Sequence, residues 1–244
     1  MPQNVYDDPG FFAAYSRLDR SVDGLDGALE WPTLRGLLPP VAGRRVVDLG
    51  CGFGWFARWA AAQGAASVLG LDLSANMLDR ARTDTPATLP ITYRRVDLDA
   101  LALEPGTVDL AYSSLTLHYL EDLPRLLAVV HDALVPGGAF VFSTEHPILT
   151  APSHPAFVTG PDGGRVWPLD GYHDEGPFTT DWLADGVVKH HRTVATYVND
   201  LIDSGFALDR MVEWSPSAAQ VADRPQDADE RLRPYFLLVA AHRP

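Results

Sequence analysis

Val46-Val47-Asp48-Leu49-Gly50-Cys51-Gly52-Phe53-Gly54 is the stretch on which the fold of this chain turns. The apolar run predicts a strand at Arg45–Leu49. Phe56, Ala57, Ala60 and Ala61 recur at helical spacing and predict a helix over Phe53–Gln63, stopped by Gly64. Glycines between a strand and a helix allow a sharp turn and a close approach of backbone to ligand. Alone, such a turn is shared by dinucleotide enzymes, flavoproteins and plain tight turns. Its spacing here, Gly-x-Gly-x-Gly, differs from the Gly-x-Gly-x-x-Gly expected over a pyrophosphate. Asp48 sharpens the contrast, because a carboxylate repels pyrophosphate but suits an ammonium group, directly or through water. Asp72 ends the next predicted strand, Ser67–Leu73, where a carboxylate can accept from both hydroxyls of a ribose.

Outward from that turn, short apolar runs alternate with helical patterns, the signature of βαβ units and a parallel sheet. Ser74 can cap a helix reaching Arg82. Ile91–Leu98 and Val108–Ser113 read as the third and fourth strands. Leu123, Leu126, Leu127, Val130 and Leu134 mark a helix with Pro124 in its first turn, which Pro136-Gly137-Gly138 are expected to stop; Ala139–Glu145 is the fifth strand. From His146 to Arg192 the pattern breaks for 47 residues, with six prolines and five of the eight histidines. A connection this long is functional or disordered, and its aromatic content favours function: a lid or substrate-binding insertion. Thr193–Ser204 is then a helix with Val194, Tyr197, Val198, Leu201 and Ile202 inward. Ala207–Trp214 and Tyr235–Ala241 are late strands, and Phe11–Arg20 and Trp31–Leu38 two short helices before the first strand. One domain over 1–244 is expected: a helical cap at 1–43, a core at 44–145, the insertion at 146–192 and a closing helix and strands at 193–244.

Bulk properties bound the function. With 46% hydrophobic and 21% charged residues the composition is that of a globular protein. A single cysteine forms no internal disulfide, the first residues lack a signal-peptide pattern, and no apolar run approaches the ~20 residues of a membrane span. A cytoplasmic protein with no membrane partner is expected. The net charge of −13, from 19 Lys+Arg against 32 Asp+Glu, leaves little material for a phosphate-binding face, so a small molecule is expected in preference to nucleic acid.

The motifs resemble those of class I S-adenosylmethionine-dependent methyltransferases. Val46–Gly54 is similar to the first motif of that family, Gly70–Leu78 to the second, Val96-Asp97-Leu98 to the third strand end, Asp109–Tyr119 to the fourth motif and Leu134–Ser143 to the fifth. The resemblance implies an α/β, Rossmann-like fold: a seven-stranded, mostly parallel sheet with helices on both faces, short N-terminal helices and a lid after strand five. It implies S-adenosyl-L-methionine as cofactor and S-adenosyl-L-homocysteine as product. Asp72 would bind the ribose and Met77 border the adenine. Asp97 would meet the adenine amine, with Leu98 near the ring. Tyr15, Asp48, Gly50, Cys51, Gly52, Leu73 and Ser113 complete the expected cofactor set. Tyr15, Gly24–Pro32, Ser143–Pro147 and Lys189–Thr193 extend the resemblance to a group of uncharacterised bacterial small-molecule methyltransferases, from which Phe178 departs by standing where that group carries a basic residue.

Methyl transfer from a sulfonium needs positioning and exclusion of water, and a base only where the nucleophile arrives protonated. His118, just past the fourth strand, is the leading candidate for that base, with a packing role as the alternative. Glu145 and His146, at the end of the fifth strand, are candidates to orient substrate. Trp167, Tyr172 and His191 are candidate substrate-binding residues of the lid, with Trp182 as a further wall, and Arg17 or Arg20 could bind a carboxylate. Adjacent His190 and His191 point to opposite faces of a strand, and no third ligand has diagnostic spacing, so no metal is expected. Two other functions compete: an NAD(P)-dependent oxidoreductase and a non-catalytic S-adenosylmethionine-binding protein.

Overall fold

Burial on both faces is what the strand residues impose. In β1 (Arg45–Leu49), Val46 and Val47 pack into opposite layers, as do Leu110 and Ala111 of β4 (Val108–Ser114) and Phe140 and Val141 of β5 (Leu134–Glu145). Near-continuous apolar strands of this kind require cover on each side, the condition of a parallel sheet. In the computed structural model, which describes residues 3–244, β2 (Ser67–Asp72), β3 (Ile91–Arg95), β10 (Ala207–Trp214) and β11 (Phe236–His242) complete a seven-stranded sheet in the order β10-β11-β5-β4-β1-β2-β3. Only β11 runs antiparallel to its neighbours.

One layer contains Leu123, Leu126, Leu127 and Val130 of α6 (Leu123–Ala133) with Tyr197 and Leu201 of α8 (Val194–Asp203), packed on Phe140 and Phe142. The other contains Trp31 and Leu34 of α3 (Trp31–Gly36) with Phe56, Ala57 and Ala60 of α4 (Trp55–Ala62). Capping fixes where helices begin: Ser74 accepts from Met77 N at 3.1 Å to start α5 (Ala75–Asp84), and Thr193 accepts from Thr196 N at 3.1 Å to start α8. Among the described residues no helix is long and apolar enough to cross a membrane.

Several elements differ from the sequence expectation. Phe11–Arg20 is broken into α1 (Pro9–Tyr15) and α2 (Asp19–Val22), because Leu18 is extended (φ −65°, ψ 147°). α6 stops at Ala133, and Pro136-Gly137-Gly138 lie inside β5, where the pairing jumps from Val108–Leu134 to Leu110–Ala139. The third strand ends at Arg95, and Asp97 instead caps a 3₁₀ turn, Leu98–Ala100. Ile202 is 53% exposed and not part of the inward stripe. The insertion holds α7 (Pro147–Thr150), a hairpin of β6 (Val158–Thr159) and β7 (Arg165–Val166), and a second of β8 (Gly176–Thr180) and β9 (Val187–His191). Between β10 and β11 stand α9 (Ala218–Asp223) and a 3₁₀ segment, Pro225–Leu232. The Ser217–Gln220 capping box starts α9 and is legible as Ser-x-x-Gln.

Phe142 is 1% exposed between sheet and α6–α8 layer. Phe142→Ala is expected to cost about 3–5 kcal/mol, read as a lower urea midpoint at unchanged slope.

Candidate functional site

Ligands of open α/β sheets bind beyond the carboxyl ends of strands where the order reverses, and β1 is that place here. The ends of β1, β2, β4 and β5 open on a cavity of about 880 Å³. Its floor is the glycine turn. Gly50, Gly52 and Gly54 take φ of +77°, +51° and +73°. A Cβ on Gly50 would run into Thr116, and one on Gly54 into the Tyr93 hydroxyl, whereas one on Gly52 would meet nothing within 4 Å. The turn is tied to β2: Gly50 N and Cys51 N donate to Leu71 O at 2.8 and 2.9 Å.

Asp72 links turn and helix. Its Oδ2 accepts from Gly52 N at 2.8 Å and its Oδ1 from Ser74 N at 2.9 Å. Burial raises the Asp72 pKa, against the pull of these backbone donors. Leu73, Met77, Asp97 and Leu98 line the cavity beside it. Asp97 Oδ1 also accepts from Asp99 N at 3.0 Å. Over this end lies the 3₁₀ turn Val5–Asp7, whose Asp7 accepts from Ser74 Oγ at 2.5 Å and Asn76 N at 3.1 Å.

Asp48 lies under the turn, 2% exposed, and its Oδ2 has no partner among the described residues. Burial, with the charge of Asp72, pushes its pKa up to about 8. It lines a cavity of about 100 Å³ that shares Tyr15, Arg20, Glu30, Gly50 and Gly52 with the large one. Ser21 Oγ and Trp55 Nε1, on the same small cavity, are likewise unpartnered. Cys51 lines it too; burial and the carboxylates of Asp48 and Asp72 raise its thiol pKa, the opposite of a reactive thiol.

Other expected residues fall elsewhere. Ser113 is fully buried in the sheet, its Oγ donating to Leu49 O at 2.8 Å; Ser114 lines the cavity in its place. His146 caps α7 by accepting from Ile148 N at 3.1 Å, bonds Glu213 through Nε2 at 3.0 Å and lies off the cavity. Trp167, Tyr172 and His191 hold the insertion together without lining the cavity. Trp167 Nε1 donates to Ile148 O at 2.9 Å under the Arg233 guanidinium, and Val194 N donates to the Tyr172 hydroxyl at 3.2 Å. His191 donates through Nε2 to Tyr172 O at 3.0 Å and bonds Thr150 through Nδ1 at 2.7 Å. Alternating strand geometry explains the exchange: on β9, buried Val187, Lys189 and His191 share one face, and Val188 and His190 line the cavity from the other. Trp182 joins them on the cavity wall and meets Phe11 and Tyr15 edge-on at 5.7 and 6.3 Å. Arg17 and Arg20 both line the cavity, but Arg20 is paired with Glu30, its Nη2 donating to both carboxylate oxygens at 3.1 and 3.2 Å.

Past β4, Leu115 takes φ +52°, a left-handed conformation that costs a residue with a Cβ about 1–3 kcal/mol. The chain then enters the 3₁₀ turn Leu117–Tyr119, which sets His118 on the cavity wall. Burial lowers the His118 pKa to about 4, so the ring is neutral at pH 7. Glu145 N donates to its Nδ1 at 3.5 Å, and Thr144 Oγ1 stands 3.2 Å away. A backbone N–H only donates, so Nδ1 is the acceptor and Nε2 carries the proton. His118 therefore offers a hydrogen-bond donor; it does not offer the basic lone pair expected of it. Glu145, on the same wall, is held below the usual carboxylate range: burial pushes it up, while His118 when charged and Lys189 pull it down. Lys189 donates to Glu145 Oε1 at 2.5 Å. Sequence reasoning passed over Lys189 as a site residue, because nothing local to it shows that β9 folds back onto the end of β5. It also missed Trp214 at the end of β10, and Glu230 and Tyr235 from the segment between the last strands, all of which wall the cavity.

Comparison with known proteins gives these features a context. Residues 47–142 match the methyltransferase-domain family. The crystal structure of an S-adenosylmethionine-dependent methyltransferase from Mesorhizobium loti is 60% identical, with a TM-score of 0.87, covering 90% of this chain and 100% of its own. An uncharacterised protein of Haemophilus influenzae is 33% identical over 98% of this chain and 97% of its own length. The trans-aconitate 2-methyltransferase of Deinococcus radiodurans is 37% identical over 77% of this chain and 74% of its own. This kinship sets aside both the oxidoreductase and the non-catalytic binding protein.

The residues present suit that cofactor. Asp48 has an unsatisfied buried oxygen for an ammonium group, Gly52 leaves its Cβ direction empty, and Asp72 retains lone pairs for a ribose. Free Asp48, with a pKa of about 8, is protonated at pH 7; a paired ammonium lowers that pKa and expels the proton. Calorimetry of S-adenosylhomocysteine binding at pH 7, in buffers of different ionisation enthalpy, is expected to record net proton release that Asp48→Asn abolishes. Undiminished release from the variant would assign the proton to another group. Kinship along the whole chain and an orphaned carboxylate at the head of β1 lead to one statement: this chain belongs to the S-adenosylmethionine-dependent methyltransferases.

Proposed function

We propose that this enzyme methylates a small molecule through a protic O–H or N–H group held between Glu145 and His118. One observation carries the reading: at a single wall of the cavity, Glu145 Oε2 and His118 Nε2 both lack protein partners among the described residues, one an acceptor and the other a donor. When bound, S-adenosylmethionine supplies a methyl group already electrophilic on its sulfonium. The chain's own residues then orient the acceptor, exclude water and take its proton. A lone pair of the acceptor oxygen or nitrogen would form the new bond to carbon as the carbon–sulfur pair left on sulfur, and Glu145 would take the acceptor's proton, whose bonding pair stays on the acceptor atom.

Size supports a small acceptor. About 880 Å³ lies near the upper end of small-ligand pockets, enough for cofactor and a compact partner. The insertion and the segment between β10 and β11 supply walls of the cavity through Trp182 and Tyr235. The name of the trans-aconitate relative points to an acidic acceptor; here Glu30, Glu145 and Glu230 on the cavity wall are each paired with a cation, and Arg17 shares that wall.

Incubation with methyl-labelled S-adenosylmethionine and a metabolite extract is expected to label a small protic molecule. Label confined to protein or nucleic acid would overturn the reading. Glu145→Gln is expected to lower turnover about 10²–10⁴-fold with S-adenosylhomocysteine affinity kept.

A further inference from the structure

Lys189 is 3% exposed on β9, in a hairpin that pairs only with β8 and not with the main sheet. Its Nζ donates to Glu145 Oε1 at 2.5 Å and stands 4.9 Å over the Trp182 ring and 5.7 Å over that of Tyr119. An ammonium buried this deeply is costly unless paired, and two aromatic faces with one carboxylate replace its water. Glu145 is the rigid partner: its backbone is the last rung of β5, opposite Phe236 of β11.

The pair is asymmetric in a useful way. Oε1 is taken by Lys189, and Oε2 has no protein partner among the described residues, on a side chain that lines the cavity. Lys189 itself stays behind the wall, since the β9 residues that line the cavity are Val188 and His190. It therefore touches the carboxylate without competing for the acceptor.

We propose that Lys189 is a positioning residue for methyl transfer: delivered by the insertion, it fixes Glu145 as a carboxylate with one oxygen committed and the other turned to the acceptor. The inference rests on the reading that the cavity takes a protic acceptor. The groups facing Glu145 leave this work to Lys189. His118 and Tyr119 approach from the 3₁₀ turn after β4, Tyr235 from the start of β11, and Arg192 and Tyr197 stand beyond His118 and Thr144. The tyrosines are neutral at pH 7, with pKa values raised by burial, and His118 is neutral above pH of about 4. Arg192 is turned away, its Nη2 donating to Leu120 O and Glu121 O at 2.6 and 3.0 Å.

Carbon-13 NMR of glutamate-labelled enzyme, saturated with S-adenosylhomocysteine, tests this without any acceptor. The Glu145 carboxyl signal is identified by its loss in Glu145→Gln. In Lys189→Met the Glu145 midpoint is expected to rise by about 1–3 pH units, and in Lys189→Arg to stay near that of the native enzyme. An unmoved midpoint in a folded Lys189→Met would overturn the proposal. A measurement on the unsubstituted enzyme guards against a variant that does not fold: the nitrogen-15 signal of Lys189 Nζ is expected to titrate with the Glu145 midpoint, and independence of the two would also overturn it. Because no acceptor is present, failure here is distinct from failure of the methyl-transfer screen.

Discussion

Five residues, Gly50 to Gly54, must carry the chain from the end of β1 into α4, and their surroundings forbid side chains at two of the three glycines. Thr116 stands where a Gly50 Cβ would go and the Tyr93 hydroxyl where a Gly54 Cβ would go. The tight turn brings Gly52 N to the Asp72 carboxylate at 2.8 Å and so ties the end of β1 to the end of β2. Under it Asp48 is 2% exposed with an oxygen unsatisfied, a cost that a bound ammonium would relieve. An amino-acid head would find a partner there where a pyrophosphate would meet two carboxyl groups, Asp48 and Asp72.

Around this rigid centre, ion pairs join the appended segments to one another and to the core, beside the aromatic contacts of Trp182 with Phe11 and Tyr15. Arg224, between β10 and β11, reaches Asp19 of the N-terminal segment at 2.6 Å; Arg165 of the insertion reaches Asp229 at 3.0 Å; Lys189 of the insertion reaches Glu145 of the core. The first two pairs are substantially exposed and each contributes little, of the order of 0–1 kcal/mol. Arg233 is different: 7% exposed, it stacks 4.1 Å over Trp167 and 5.0 Å over Tyr235 and bonds Glu230 at 2.8 Å, so aromatic area as well as charge clasps the insertion to the last strand.

Legibility followed locality. The succession of strands β1 to β5 along the chain, the glycine turn and the place of Asp72 at the end of β2 come from patterns within a few residues, while the place of Met77 came from the family resemblance. Boundaries slipped where a tertiary contact decided them, as at Pro136–Gly138, which a helix-stop rule explains equally well but which bond to Arg243, just past β11, with Gly137 N donating to Arg243 O at 2.7 Å and Arg243 N to Gly138 O at 2.9 Å. The lid residues were misassigned for a more general reason. Aromatic type marks a residue for burial but not which surface it buries against, so Trp167 and Trp182 are alike in sequence and opposite in role. The tautomer of His118 was out of reach altogether, since it is set by the backbone N–H of Glu145, on another strand.

The contrast between His118 and Glu145 shows how the two halves of the site divide the chemistry. His118 stands just past β4 and Glu145 at the end of the adjacent β5; both are desolvated, and burial favours the neutral form of each by moving their pKa values in opposite directions. For His118 it removes charge and, with Nδ1 occupied by the main chain, leaves a fixed donor. For Glu145 burial alone would also remove charge; a cation carried in by the insertion restores it. On the proposed reading, the core makes a donor without help, whereas the acceptor beside it depends on the Lys189 that the insertion brings. A fold that keeps its cofactor end in the sheet and completes its acceptor end from an added segment can change acceptor by changing that segment, with the glycine turn untouched.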